Sequence, residues 1–234
     1  MSKWVLLHGT PLSPQIWRQV ADQLTDQPVI TPDCTEVPAV GGQAQETLAR
    51  QVLDEIDSDE LDVVGHSFGG QIAIEMALAE PDRLRSLTIL CSRDTAFPAF
   101  ADLAVQVRNG SPPAVEDSIA RWFTIDEVAA DLPAVAQARA DLDAAALSSW
   151  AAALDAIAHY DQHVETARLD LPVVVLAAGH DGVSTPEVMR EMADRIPGAQ
   201  FHVEPEWAHM SAFADPAALA RLLTDQLATA RRGE

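Results

Sequence analysis

The sequence predicts an α/β fold, with a mostly parallel sheet of about six strands, helices on both faces and one helical insertion. Three observations predict it. Short apolar runs alternate with longer stretches of helical periodicity up to residue 92, and again after residue 168. The runs at 61–64, 86–91 and 172–176 are largely apolar, as strands covered on both faces are. Between them, residues 93–168 break the rhythm with alanine-rich helical segments and no convincing strand.

Taken in order, the first strand is expected at 4–7 and runs into His8-Gly9-Thr10-Pro11. A helix at 15–24 sets Ile16, Trp17, Val20 and Leu24 on one face. A short strand at 28–31 leads through Pro32-Asp33 to a Gly/Pro-containing loop ending at Gly42. The helix at 46–56 turns Leu48, Val52, Leu53 and Ile56 inward. The strand at 61–64 enters Gly65-His66-Ser67-Phe68-Gly69, and a helix with Ile72, Met76 and Ala77 follows until Pro81 stops it. The fourth strand is 86–91. The insertion gathers Phe97, Phe100, Trp122, Phe123, Trp150 and Tyr160, and reads as a lid over the mouth of a site. Strand rhythm returns at 172–176, followed by a helix with Val188, Met189, Met192 and Ile196 and a strand at 200–203. The loop 204–210 precedes a closing helix with Leu219, Leu222, Leu223 and Leu227. The expected division is a core, 1–92 and 169–234, interrupted by a helical cap, 93–168.

A chain of 234 residues suits one domain with a sizeable core. Its formal net charge of −21 argues against nucleic acid and against anionic membrane surfaces, both of which reward basic patches. No run approaches the ~20 apolar residues of a membrane span. A strand begins almost at once, so no signal peptide is expected and a cytoplasmic location is. Cys34 and Cys91 lack metal-ligand spacing and read as small buried side chains, so neither metal nor cofactor is expected. The expected partner is a small-molecule substrate, with the chain a monomer or homodimer.

Chemistry enters at Gly65-x-Ser67-x-Gly69. A buried strand running through this pattern straight into a helix describes a nucleophile elbow, a tight turn that lifts the serine hydroxyl above the sheet. Glycine is needed at 65 and 69 because a side chain would collide with the neighbouring strand and helix. A serine hydroxyl is a poor nucleophile until a base takes its proton and a third group orients that base. In this architecture the chain order is Ser, acid, His, each at the carboxyl end of a strand. Of seven histidines, His209 in the loop after the last strand fits best. His8 and His66 flank the serine in turns and read as packing or hydrogen-bonding residues. Two acids remain open: Asp181, after the strand at 172–176, and Asp94, after the strand at 86–91. An oxyanion needs two preorganised N–H donors. Phe68 supplies one, and the other must come from the His8-to-Pro11 loop, where Pro11 has no N–H and the reach points to Thr10.

Leu7-His8-Gly9-Thr10-Pro11, Gly65-His66-Ser67-Phe68-Gly69-Gly70, Asp181 and Ala208-His209 resemble the α/β-hydrolase superfamily over nearly the whole chain. The resemblance implies a Ser67–Asp181–His209 triad with the Thr10 and Phe68 amides as oxyanion hole. Residues 7–17 and Arg121-Trp122-Phe123-Thr124 resemble small capped bacterial esterases and 3-oxoadipate enol-lactonases. That likeness implies a carboxylesterase or lactonase that works through an acyl-enzyme. It also implies an anionic substrate, for which Arg93 and Arg121 would supply the cation, with Trp122 beside the latter. Two departures stand out. The family's usual first two strands are absent here, and its glycine-rich run after Pro-Asp is replaced by Cys34-Thr35-Glu36-Val37-Pro38, which leaves one pocket wall undefined. The same architecture supports lyase, haloperoxidase-like and carbon–carbon-cleaving reactions, so those remain alternatives. A non-catalytic ligand receptor would be signalled by a missing triad member, and none is missing.

Overall fold

Successive side chains along each strand point to opposite faces of the sheet, and that alternation divides the interior into two layers. The computed structural model describes residues 2–39 and 43–232. β1 (Lys3–Leu7) is followed by a 3-10 turn (Pro14–Trp17) and α1 (Arg18–Ala21). β2 (Val29–Ile30) precedes α2 (Ala44–Glu55), and β3 (Leu61–His66) runs into α3 (Phe68–Ala79). After β4 (Leu84–Leu90) come α4 (Ala99–Arg108), α5 (Val115–Trp122), α6 (Ile125–Ala129), α7 (Pro133–Ala144), α8 (Leu147–His159) and α9 (His163–Thr166). The chain closes with β5 (Val173–Ala178), α10 (Pro186–Arg195), β6 (Gln200–Glu204) and α11 (Pro216–Arg232). The Gly42 end of the expected loop and the side chain of Leu227 lie outside the described residues.

The strands form one six-stranded sheet in the order β2-β1-β3-β4-β5-β6, each neighbouring pair parallel. Val5, Val63, Leu87 and Val173 face one way and pack with α2, α3 and α10 through Leu48, Ile72 and Met189. Their neighbours Trp4, Val64 and Val174 face the other way, against Trp17, Val20, Leu219 and Leu223. Each such side chain, fully buried, contributes roughly 1.5–3 kcal/mol of transfer free energy, so two covered faces fix the register strongly. A parallel sheet needs both covers.

Two elements are shorter than the periodicity suggests. The expected helix at 15–24 begins as a 3-10 turn capped by the Ser13 hydroxyl and ends its α-helical part at Ala21. The second strand keeps only Val29 and Ile30, because Pro28 and Pro32 have no N–H to give the ladder. Between β4 and β5 the chain is helical with no strand. There α8 sends Trp150 and Leu154 to one apolar cluster and Ala153 and Ile157 to the other. Among the described residues, no helix is long and apolar enough to cross a membrane.

Candidate active site

The turn between β3 and α3 holds Ser67 at φ 55°, ψ −121°, a backbone region that costs a non-glycine residue of order 1–3 kcal/mol. The surroundings over-determine it. A Cβ at position 65 would lie 2.2 Å from the Gly69 carbonyl oxygen, and one at 69 would lie 2.4 Å from that of Leu7. The Ser67 amide donates to the Leu90 carbonyl at 3.0 Å, tying the turn to β4. Its own carbonyl accepts from the Gly70 amide at 2.9 Å and the Ser92 hydroxyl at 2.6 Å. Ser92 gave no sequence signal; it matters because Gly70 leaves it room, a Cβ there lying 2.4 Å from that of Ser92.

Asp181 follows β5 in a tight turn. Its Oδ1 accepts from the amides of Val183 (2.8 Å) and Ser184 (3.1 Å), and its Oδ2 lies 2.7 Å from His209 Nδ1. Burial by itself would raise this carboxyl, but the His209 imidazole and the two amides outweigh burial and hold it below its ordinary value. An ionised Oδ2 can only accept, so Nδ1 carries a proton, and in the neutral form of the ring Nε2 is the nitrogen with the lone pair. That is the tautomer a general base needs.

The loop bearing His209 is fastened from several directions. His180 and Gly179 amides donate to the carbonyls of Trp207 (2.8 Å) and Glu204 (2.9 Å), an approach that only glycine at 179 permits, with a Cβ there 2.1 Å from the Pro205 oxygen. The Met210 amide donates to the Trp122 carbonyl at 2.7 Å, and the Ser211 hydroxyl donates to Glu127 at 2.8 Å. His66 donates from Nε2 to the His209 carbonyl at 3.0 Å. Burial, and then the neighbouring His209, push His66 down to about 3, so it is a neutral strut. Glu127 and Ser211 were invisible to sequence reasoning because their pairing joins positions far apart along the chain.

Ser67, Asp181 and His209 line one cavity of about 320 Å³. Thr10 lines it too, and a Cβ on its neighbour Gly9 would sit 3.0 Å from Ser67 Cβ, so the loop after β1 is pressed against the elbow. Phe68 is the first residue of α3, where helix geometry leaves amides without an intrahelical partner. Phe100, Leu103, Leu154 and Ile157 give the cavity apolar walls.

Asp94 is placed elsewhere. It is fully buried, with Arg195 at 2.7 and 3.0 Å from its two carboxylate oxygens and the Thr166 hydroxyl at 2.6 Å. Of the expected substrate contacts, Arg121 and Trp122 line the cavity and Arg93 does not. The Arg93 guanidinium donates to the carbonyls of Thr95 and Val183, both at 3.0 Å, and lies over the Phe97 ring. It therefore braces the turn after Asp181 instead of facing the cavity. The nitrogens and sulfur of His66, Cys91 and His209 lie within 4.8 Å of one another. They suit a metal poorly, since burial pushes the Cys91 thiol well above its ordinary value and His209 Nδ1 already serves Asp181.

A model of the alpha/beta hydrolase family matches residues 4–222, and the chain belongs to that family. The 2-hydroxymuconate semialdehyde hydrolase of Pseudomonas sp. (strain CF600) is 28% identical over 92% of this chain and 81% of its own. The pimeloyl-[acyl-carrier protein] methyl ester esterase of Klebsiella pneumoniae is 24% identical over 94% of this chain and 91% of its own. The crystal structure of the enol-lactonase from Burkholderia xenovorans LB400 superposes with a TM-score of 0.87 at 22% identity, covering 97% of this chain and 92% of that one. The last likeness is one of fold.

Proposed function

We propose that the protein is a serine hydrolase that cleaves a small carboxylic ester or lactone through an acyl-enzyme. The carrying observation is the 2.7 Å bond from His209 Nδ1 to a buried Asp181 in the cavity that Ser67 enters. On this reading Ser67 Oγ adds to the carbonyl carbon while His209 Nε2 takes its proton. The Phe68 and Thr10 amides meet the oxyanion, each such donor being worth roughly 10²–10³ in turnover. Collapse expels the alcohol, which leaves with the proton held by His209. Water, deprotonated by the same nitrogen, then releases the acid and restores Ser67. The helical segment 93–168 acts as a cap, since its apolar side chains roof the cavity. Arg121 meets an acidic acyl group, because among the described residues it pairs with no carboxylate and donates only to the Ser118 hydroxyl. The Klebsiella relative, named for a methyl ester, supports the ester class.

A panel of p-nitrophenyl esters and simple lactones tests this with wild type and Ser67→Ala. Wild type should turn over at least one member and show an acylated mass, and Ser67→Ala should lose about 10⁴-fold or more. A Ser67→Ala rate equal to wild type would refute it. A second reading has one specific support: the Pseudomonas relative's named substrate contains no ester, which leaves a carbon–carbon bond to be hydrolysed. Turnover of vinylogous 1,5-diketones with no turnover of esters would favour it.

A further inference from the structure

Beside the cavity holding Ser67 lies a larger one of about 710 Å³. The two share Thr10 and Trp150 as lining residues, so they lie side by side on the Thr10 flank of the reacting centre. Its far wall is the stretch 34–38 together with the junction between α7 and α8. Among the described residues, the charged groups lining it are the carboxylates of Glu36 and Asp141, with no Lys or Arg. Asp141 is buried and already accepts from the Ser13 amide (3.0 Å), the Ser13 hydroxyl (2.8 Å) and Gln137 (3.0 Å). Glu36 is exposed, and among the described residues nothing pairs with it. His8, the remaining titratable nitrogen group on the wall, donates from Nδ1 to the Gly9 carbonyl and accepts the Cys34 amide at Nε2, each at 3.0 Å. Both nitrogens are thereby used in the neutral form, and burial favours that form.

We propose that this chamber receives the alcohol half of an ester substrate and selects a polar leaving group that is uncharged or cationic over an anionic one. The proposal rests on the serine-hydrolase reading. The acyl half stays on Ser67 after the first step, in the smaller cavity with apolar walls and Arg121. The alcohol must depart before water can attack, and the second chamber reaches solvent past the exposed Glu36 and Ser148. Among the described residues, an anion there would meet two carboxylates and no cation, in a chain of net charge −21. A trimethylammonium or polyol group would meet Glu36 instead.

The test uses the whole chain and four esters of one short acid: methyl, choline, 3,3-dimethylbutyl (the uncharged isostere of choline) and 2-sulfoethyl. At low ionic strength, wild type should favour the choline over the 2-sulfoethyl ester by about fivefold or more in kcat/KM, with the isostere between them and the gap closing as salt is added. Glu36→Arg should lower that ratio by about fivefold, mainly through KM, and Glu36→Gln should lower it by less. The position is exposed, and the isosteric glutamine variant carries the test if the arginine variant is unstable. A ratio unchanged in both variants, or a wild-type preference for the 2-sulfoethyl ester, overturns the chamber while Ser67-dependent turnover of the methyl ester leaves the hydrolase reading standing. No Ser67-dependent turnover of any of the four esters overturns both.

Discussion

Two aspartates follow the carboxyl ends of adjacent strands, Asp94 after β4 and Asp181 after β5. Both are buried, at 0% and 4% exposure. What surrounds them differs. Asp94 faces a guanidinium from α10 and the hydroxyl of Thr166, at the end of α9, which makes it a clamp between the helical segment and the core. Asp181 faces two amides of its own turn and one imidazole, and among the described residues no Lys or Arg pairs with it. A buried carboxylate paired with Arg is held for structure, whereas one that accepts from an imidazole Nδ1 orients that ring. Residue type and strand-end position are equal here, so the partner decides the role.

The largest expected effect separates them by rate. Asp181→Asn should cost about 10⁴-fold in kcat, because the amide no longer holds Nδ1 in its protonated form. Asp94→Asn should change kcat by less than about threefold; steady-state kinetics with one ester measures both, and a reversed outcome would exchange their assignments. Stability should order the pair the other way. Breaking a buried ion pair costs about 3–5 kcal/mol, and discounting for the partly exposed Arg195 leaves roughly 2–3 kcal/mol, or a Tm lower by about 4–12 °C in calorimetry of Asp94→Asn.

Acid sharpens the contrast further. Ionised Asp181 contributes stability that is complete above its ordinary 3.8 and is lost as pH falls through its lowered folded value. His66, which supports the His209 loop, acts over a different window. The unfolded chain binds its proton below 6.5 and the folded chain only below about 3, so stability drops as pH falls between them, by up to about 1.4 kcal/mol per unit. In His66→Gln the slope of Tm against pH between 4 and 6.5 should flatten, and an unchanged slope would remove His66 from the account. The smallest effect belongs to Thr166→Val. Loss of one hydroxyl from Asp94 should lower Tm by about 2–4 °C with kcat untouched.

The six-stranded parallel sheet was legible because two-sided burial writes itself as continuous apolar runs, as at Val173, Val174 and Val175. The turn at Ser67 was legible for a local reason: Gly65 and Gly69 make contacts that no side chain could share. The end of the first helix was not legible, since periodicity continues past Ala21 although the helix does not. Arg93 was misplaced because an arginine after a strand can turn toward the cavity or toward Val183 with the same local sequence.

The sequence by itself determined the class of fold and the local geometry at Ser67, because these depend on periodicity, glycine and proline within a few residues. Tertiary structure alone decided which aspartate meets His209, which arginine faces the cavity, and that Glu36 stands on the rim of a second chamber. The physical reason is reach. A hydrogen bond between Asp181 and His209, or between Glu127 and Ser211, joins atoms about 3 Å apart in space but tens of residues apart along the chain, and no local pattern encodes such a meeting.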